Sequence, residues 1–511
     1  MAAVTAALGA ARARSIPRDA FLWPSILIVL LIFVGCWIAD QVGSNVLIFA
    51  VLWGPLLYRY VLAAPVHLSA RVMFLLALVL EPPAEQPGYG YWTSVLAPAS
   101  QIYYDALKAW AGIPGLSFSL YTLLCLVLYF RATRGRKAPG YVAPPPEAVK
   151  AVKLWLLALT LLLIWGLIRG GNGKAAFFQL QHLYTLGFCA LAFLHALRGP
   201  ADLRALGTIV VVAAITKGLL VGWVYYVVCA PMGLKPFYAT THSDSVTFAM
   251  CIIILATRLF EERDGRSLRL FLCIVPFIVM AIVMNNRRLA FVGVGFGVVT
   301  TYAVMKSGRL KRKIARIALA LAPLVVVYVK VGGHSTNPLF APAAMVNSAL
   351  SGTDSSSITR DIENYNLIFT MNQQGRILGT GFGHEYIEAV RADDISQAFA
   401  LYRYIPHNSV LWLWSFGGLI GFTALWMVYP LLAYFGARGY HGSLDPIERA
   451  AGLTTLAGAM TLMAQNWGDM GLQSYTSLTV FGICYSVAAK LCMAADSRRA
   501  SAPAATASVA R

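Results

Sequence analysis

Charge is what this chain has least of. Asp, Glu, Lys and Arg make up 12% of its 511 residues, while 58% are hydrophobic and mean hydropathy is +0.66. An ordinary soluble domain carries about a quarter of its residues charged, so that class is excluded. The eight cysteines all fall within apolar runs, which leaves neither a disulfide framework nor metal-ligand spacing. The glycines of 375–383 have no βαβ context and make no dinucleotide fingerprint. His384-Glu385-Tyr386-Ile387-Glu388 lacks the second histidine of a zinc helix. Neither a metal nor a cofactor is expected. There is also no internal repeat.

What the chain does have is apolar runs near the ~20 residues that cross a bilayer. Fourteen candidates stand at about 21–39, 43–63, 64–80, 117–130, 153–169, 175–195, 205–229, 244–260, 268–285, 289–305, 317–330, 408–436, 450–466 and 473–492. The third, fourth and eleventh are short, which gives a range of 12–14. The first is not a cleavable signal, since its run is too long and further spans follow directly. The expected fold is an all-α integral membrane protein, a polytopic bundle of 12–14 transmembrane helices with a long helical outer loop at 331–407. The expected units are N-terminal helices over 1–204, a core over 205–436, C-terminal helices over 437–496 and a disordered Ala/Ser-rich tail over 497–511.

Basic residues orient such a bundle. With Arg12, Arg14 and Arg18 in the cytoplasm and fourteen spans threaded, most of the 41 Lys and Arg fall on cytoplasmic segments. Both termini are then cytoplasmic. The formal net charge of +19 reflects orientation and anionic lipid. Nucleic acid is not an expected partner, because no folded domain presents those charges. Segments 230–243, 285–288, 331–407 and 466–473 emerge together on the opposite face.

The residues able to do chemistry lie in those segments. Arg287 and Arg288 sit at an outer helix mouth, against the charge bias. They either snorkel to lipid phosphates or bind an anion bidentately. Asp354 and the serines after it suit the cap of a helix over 359–372 carrying Arg360. Arg360 is a further phosphate ligand or a partner of Asp361 or Glu363. The turn Gly379-Thr380-Gly381-Phe382-Gly383 can hold backbone tightly near a ligand. His407-Asn408 stands where the loop enters an apolar run, and a neutral imidazole there can take a proton from a hydroxyl. His384 offers a competing base. His242, Asp244, Asn466, Asp469 and Gln473 share the face, and Lys217 and His182 lie in or near spans, where ionisable groups are functional candidates by default.

These residues resemble the bacterial O-antigen ligase and O-antigen polymerase family. His407-Asn408, nine residues, Gly418, two residues, Gly421 fits its histidine-glycine pattern. Arg287-Arg288-Leu289-Ala290 resembles its first arginine site, and Ser355 to Arg360 followed by Gly379–Gly383 its outer-loop arginine and glycine turn. The resemblance spans roughly 205–436. It implies a glycosyltransferase of the bacterial inner membrane with its site facing the periplasm, moving a glycan from undecaprenyl diphosphate to an acceptor hydroxyl on lipid A-core or a similar molecule. It also implies an inverting reaction without metal. Arg287 or Arg288 with Arg360 would hold the diphosphate, His407 would activate the acceptor, and Asn408, His384, His242 and Asp469 would support them. Implied partners are the lipid-linked glycan donor, a lipid or glycan acceptor, membrane lipids and polysaccharide-assembly proteins. Fourteen spans exceed the family's usual twelve, and residues 81–116 have no assigned role.

Two alternatives remain. A polymerase of O-antigen or exopolysaccharide shares every motif and differs only in its acceptor. A polysaccharide transporter or flippase also needs many spans, but it predicts two pseudo-symmetric halves with charges near the midplane.

Overall fold

The computed structural model describes residues 21–42, 53–81, 94–111, 118–135, 141–234, 236, 238–335, 355–391, 394–396 and 399–501, with 337, 340, 342–344 and 347. Every expected span falls on helix over most of its described residues. The helices are α1 Leu22–Gln41, α2 Val66–Leu80, α3 Ala97–Ala111, α4 Leu120–Arg134, α5 Pro146–Ile168, α6 Gly173–Ala196, α7 Leu203–Trp223 and α8 Asp244–Glu262. They continue as α9 Gly265–Met284, α10 Arg288–Val304, α11 Arg309–Gly332, α12 Ser355–Gln374, α13 Ser409–Trp426, α14 Val428–Gly442, α15 Pro446–Gly468 and α16 Tyr475–Ser501. Among the described residues there is no strand, as expected where every backbone polar group must be satisfied without water.

Among the described residues, eight helices are long and apolar enough to cross a membrane: α1, α5, α6, α7 with its flanking turns, α9, α11, α13 joined to α14, and α16. α2 and α10 are shorter apolar helices. Expected spans 244–260 and 450–466 are the helices α8 and α15, outside those eight. Large apolar side chains face outward on the peripheral helices, including Leu319 at 75% and Leu324 at 64% on α11. On a soluble monomer so much exposed apolar surface would be an interaction patch. Here it is the lipid-facing surface of a multi-pass membrane protein.

The sequence placed several features imperfectly, and α3 stands in the 81–116 stretch that had no assigned role. The eleventh span is not short, since α11 begins at Arg309 and its basic first turns hid the start of the helix. The tail is helical through Ser501, with Arg498 Nη2 2.7 Å from Glu448 Oε2. Residues 502–511, Asp354, the first twenty residues and 43–52 lie outside the described residues.

α15 is central, packing against α8, α10, α14 and α16. Asp445 caps it by accepting from the amides of Ile447 and Glu448, and Pro446 occupies N1, where a missing N–H costs nothing. α12 lies outside the bundle and packs on α13. Its buried positions Glu363, Asn366, Leu367, Thr370 and Met371 recur at helical spacing and face the loop and α13.

Candidate functional site

Asn408 starts the site. As the N-cap of α13, its side-chain oxygen accepts from the amides of Val410 and Leu411, each at 3.1 Å, while its Nδ2 donates to Asn364 Oδ1 at 3.0 Å. The cap fixes where the chain turns from loop to helix, so it fixes the residue before it. His407 is held by Glu363 of α12 in two ways. Its backbone N donates to Glu363 Oε2 at 2.9 Å, and its Nδ1 lies 3.3 Å from the same carboxylate. Its carbonyl accepts from Met470 N at 2.6 Å. Nδ1 donating to the carboxylate leaves Nε2 with a lone pair, the tautomer of a base.

A cleft with about 450 Å³ of empty space opens around this histidine. Its walls are Ser357, Arg360, Asp361, Glu363 and Asn364 on one face of α12, then His407, Asn408, Trp467 and Gly468. Arg360 therefore points into the same cleft as His407. It forms no ion pair with Asp361 or Glu363, the partners that the sequence offered it, among the described residues.

Asp469 follows the C-terminus of α15 and accepts a hydrogen bond from His242 Nδ1. Burial raises the pKa of this carboxyl, but His242, Arg360 and Arg287 together pull it down to about 2. Arg287, the N-cap of α10, lies with its guanidinium 4.1 Å from the ring centroid of Tyr238. Its Nε and Nη2 are buried and have no hydrogen-bond partner among the described residues. Unmet donors on a buried guanidinium are costly unless a ligand meets them. For His407, burial lowers the pKa, but the hydrogen bond and charge of Glu363, then Asp469, outweigh it, with Arg360 opposing, so that it stands above the usual imidazole value.

The segment carrying Tyr238 and His242 is fastened from below. Asn285 Oδ1 accepts from the amides of Ala239 and Thr240 at 2.9 and 2.8 Å, tying that segment to the turn that holds Arg287. Asp244, at the start of α8, faces Lys217 of α7 at 3.1 Å, both of them buried. Lys217 is thus half of a structural pair behind the site. His182 packs on the Tyr475 ring, with centroids 4.5 Å apart, and does not line the cleft.

The glycine turn does not line the cleft either. It is wedged between α5 and α13. Gly381 N donates to Phe416 O at 2.9 Å and Phe382 N to Leu162 O at 3.3 Å, while Trp165 and Arg169 both donate to Gly379 O. A Cβ on Gly381, whose φ is +74°, would meet Gly166 N at 2.3 Å, and one on Gly418 would meet Gly379 N at 2.5 Å. These glycines serve contact between backbones, and Gly418 breaks helical geometry to permit it. His384, next in the chain, lies 3.1 Å from Gly166 O through Nε2, away from the cleft walls.

The structure thus brings Arg360, His407 and Asn408 to one cleft, with Arg287, His242 and Asp469 in electrostatic reach. Arg288 heads α10 beside Arg287, and His384 stands apart. Glu363 was missed as a functional residue, although its i+3 spacing from Arg360 sets both on one helix face. Tyr238 and Asn285 carried no such signal.

Residues 270–426 match a family described as O-antigen ligase. The match includes Arg287, Arg288, Arg360, His384, His407 and Asn408, and it leaves His242 and Asp469 outside. No curated protein matches the chain significantly. The histidine and the arginines sit on the segment the family describes, while Trp467 and Gly468 of the cleft lie beyond it, and over that segment the chain is similar to the O-antigen ligase family.

Proposed function

We propose that the protein transfers a glycan from an undecaprenyl-diphosphate carrier to an acceptor hydroxyl, as a ligase acting on lipid A-core or a similar acceptor at the periplasmic face of the bacterial inner membrane. The observation that carries this reading is His407, with Nδ1 held by Glu363 and Nε2 left to accept, sharing a cleft with Arg360.

In this reading His407 Nε2 takes the proton of the acceptor hydroxyl. The hydroxyl oxygen forms the new bond to the anomeric carbon as that carbon's bond to the diphosphate breaks on the opposite side, which inverts the centre. The bond's electron pair leaves with the diphosphate. Arg360 and Arg287 meet the charge that grows there, in a cleft where screening by water is weak. The unmet donors of Arg287 fit a phosphate oxygen, and Asp469 with His242 balances two neighbouring guanidiniums when no donor is bound. Arginines then do the neutralising that a metal does elsewhere, so the step needs none.

A polymerase would use the same site with a lipid-linked glycan as acceptor. A gene deletion separates the two. Full-length chains left on the lipid carrier indicate a ligase, and accumulated single repeat units a polymerase. For the transfer itself, purified protein in proteoliposomes with an undecaprenyl-diphosphate-linked glycan should move it, and His407→Ala should not. Equal transfer by both would overturn the reading. The transporter reading predicts movement of the carrier across the bilayer without a new glycosidic bond, and the same assay detects that bond.

A further inference from the structure

α15 joins two different places. Its C-terminal end borders the cleft, and its first turns line a second space at the opposite end of the bundle. Helices α2, α7, α8, α15 and α16 wall a crevice there with about 750 Å³ of empty space. That space includes the open mouth, so the crevice suits a slender apolar chain rather than a bulky ligand. The deep walls are Phe74, Met250, Ile254, Val480 and Val487. On α8 the lining residues Met250, Ile254, Arg258 and Glu262 recur every fourth position, so the shaft runs about 18 Å at 1.5 Å per residue. Protein interiors rarely keep voids much larger than a water molecule, and apolar walls favour hydrocarbon over water.

The mouth is not apolar. Arg204, in the first turn of α7, is exposed and in no ion pair among the described residues. Arg258 shares the mouth, its guanidinium 3.0 Å from Glu262. Two guanidiniums against one carboxylate leave one net positive charge above a hydrocarbon-lined shaft. This end of the bundle also carries Arg263 and Arg266 beside helix ends, while Arg198 and Arg449 are paired with Asp202 and Glu261. A basic mouth over an apolar crevice between transmembrane helices is the chemistry that takes an anionic lipid head group and its chain.

We propose that this crevice binds one anionic phospholipid, with an acyl chain along Met250, Ile254 and Val480 and its phosphate between Arg204 and Arg258. The site is separate from the cleft, and the proposal does not depend on the transferase reading. A bound chain would press on the first turns of α15, the helix whose far end positions Trp467 and Gly468.

The test uses the full chain in nanodiscs with photoreactive phosphatidylglycerol or phosphatidylcholine of identical chains, followed by peptide mapping. The expected result is labelling of 206–210 and 450–455 by phosphatidylglycerol, exceeding that by phosphatidylcholine about fivefold, the preference one basic residue gives. Arg204→Ala, at an exposed position, should remove most of that preference. Ala451→Trp should fill the shaft and abolish labelling there. Labelling confined to outward-facing helix surfaces, or a lipid preference unchanged in Arg204→Ala, would overturn the proposal.

Discussion

Glu363 grips His407 twice, by the backbone amide at 2.9 Å and by ring Nδ1 at 3.3 Å. One carboxylate therefore sets both where the histidine sits and which ring nitrogen carries its proton.

The first prediction concerns pH. The His407 pKa is raised, and only the neutral ring accepts a proton. Transfer should rise with pH through a value above the ordinary imidazole range. Glu363→Gln removes the charge favouring the imidazolium, so the acidic limb of kcat/KM should move to lower pH while the plateau falls. His407→Ala should lose roughly 10²–10⁴-fold with no such limb. Both follow from rate-pH profiles in proteoliposomes, and an unmoved limb in Glu363→Gln would uncouple the two residues.

Loss of a proposed phosphate ligand should act differently. Arg360→Ala should lower kcat by roughly 10²–10³-fold, the cost of removing one preorganised transition-state donor. Arg287→Ala should do likewise, and Arg287→Lys should recover little, because a lysine replaces the planar fork with a point charge. Steady-state kinetics with the lipid-linked donor would read this. An effect on KM alone would assign these arginines to ground-state binding.

Behind the site, Lys217→Met would leave Asp244 buried and unpaired. Breaking such a pair costs about 3–5 kcal/mol, while replacing both partners is often near neutral. Lys217→Met should thus accumulate poorly and melt early in detergent, and Lys217→Met/Asp244→Leu should recover much of the lost stability. If the double variant is no better than the single, the lost stability does not come from an unpaired Asp244.

The glycine wedge gives a fourth expectation. Gly381→Val puts a branched side chain at φ +74° against the Gly166 backbone. The 376–407 loop should lift off α5, seen as new protease cleavage within it, with loss of transfer although Gly381 does not line the cleft. Asn408→Ala should be milder, costing about 1 kcal/mol through the lost cap.

Much of this was written in the chain. Apolar run length located most helices, because in a bilayer length and hydropathy nearly determine the element, but it missed α3 and cut one end of α5, α11 and α16 short by seven to nine residues. His407, Asn408 and Arg360 were legible as polar residues at helix starts. Glu363 was not, because its role depends on α12 folding back over α13, a contact between positions 44 residues apart. The glycine turn was read as a place for ligand, since glycine permits close approach without saying to what. Here its neighbour is Gly166, more than two hundred residues earlier. The start of α11 was hidden because hydropathy drops in its basic first turns although the helix does not.

That wedge also bears on how the protein can be taken apart. Residues 270–426 match the family, but the turn within them is seated on Gly166 and bonded to Gln179, and the cleft borrows Trp467 and Gly468 from α15. The matched stretch is no transplantable cassette. A chimera exchanging it between relatives should work only when the recipient keeps a glycine at 166 and a hydrogen-bonding side chain at 179, however well the exchanged motifs agree.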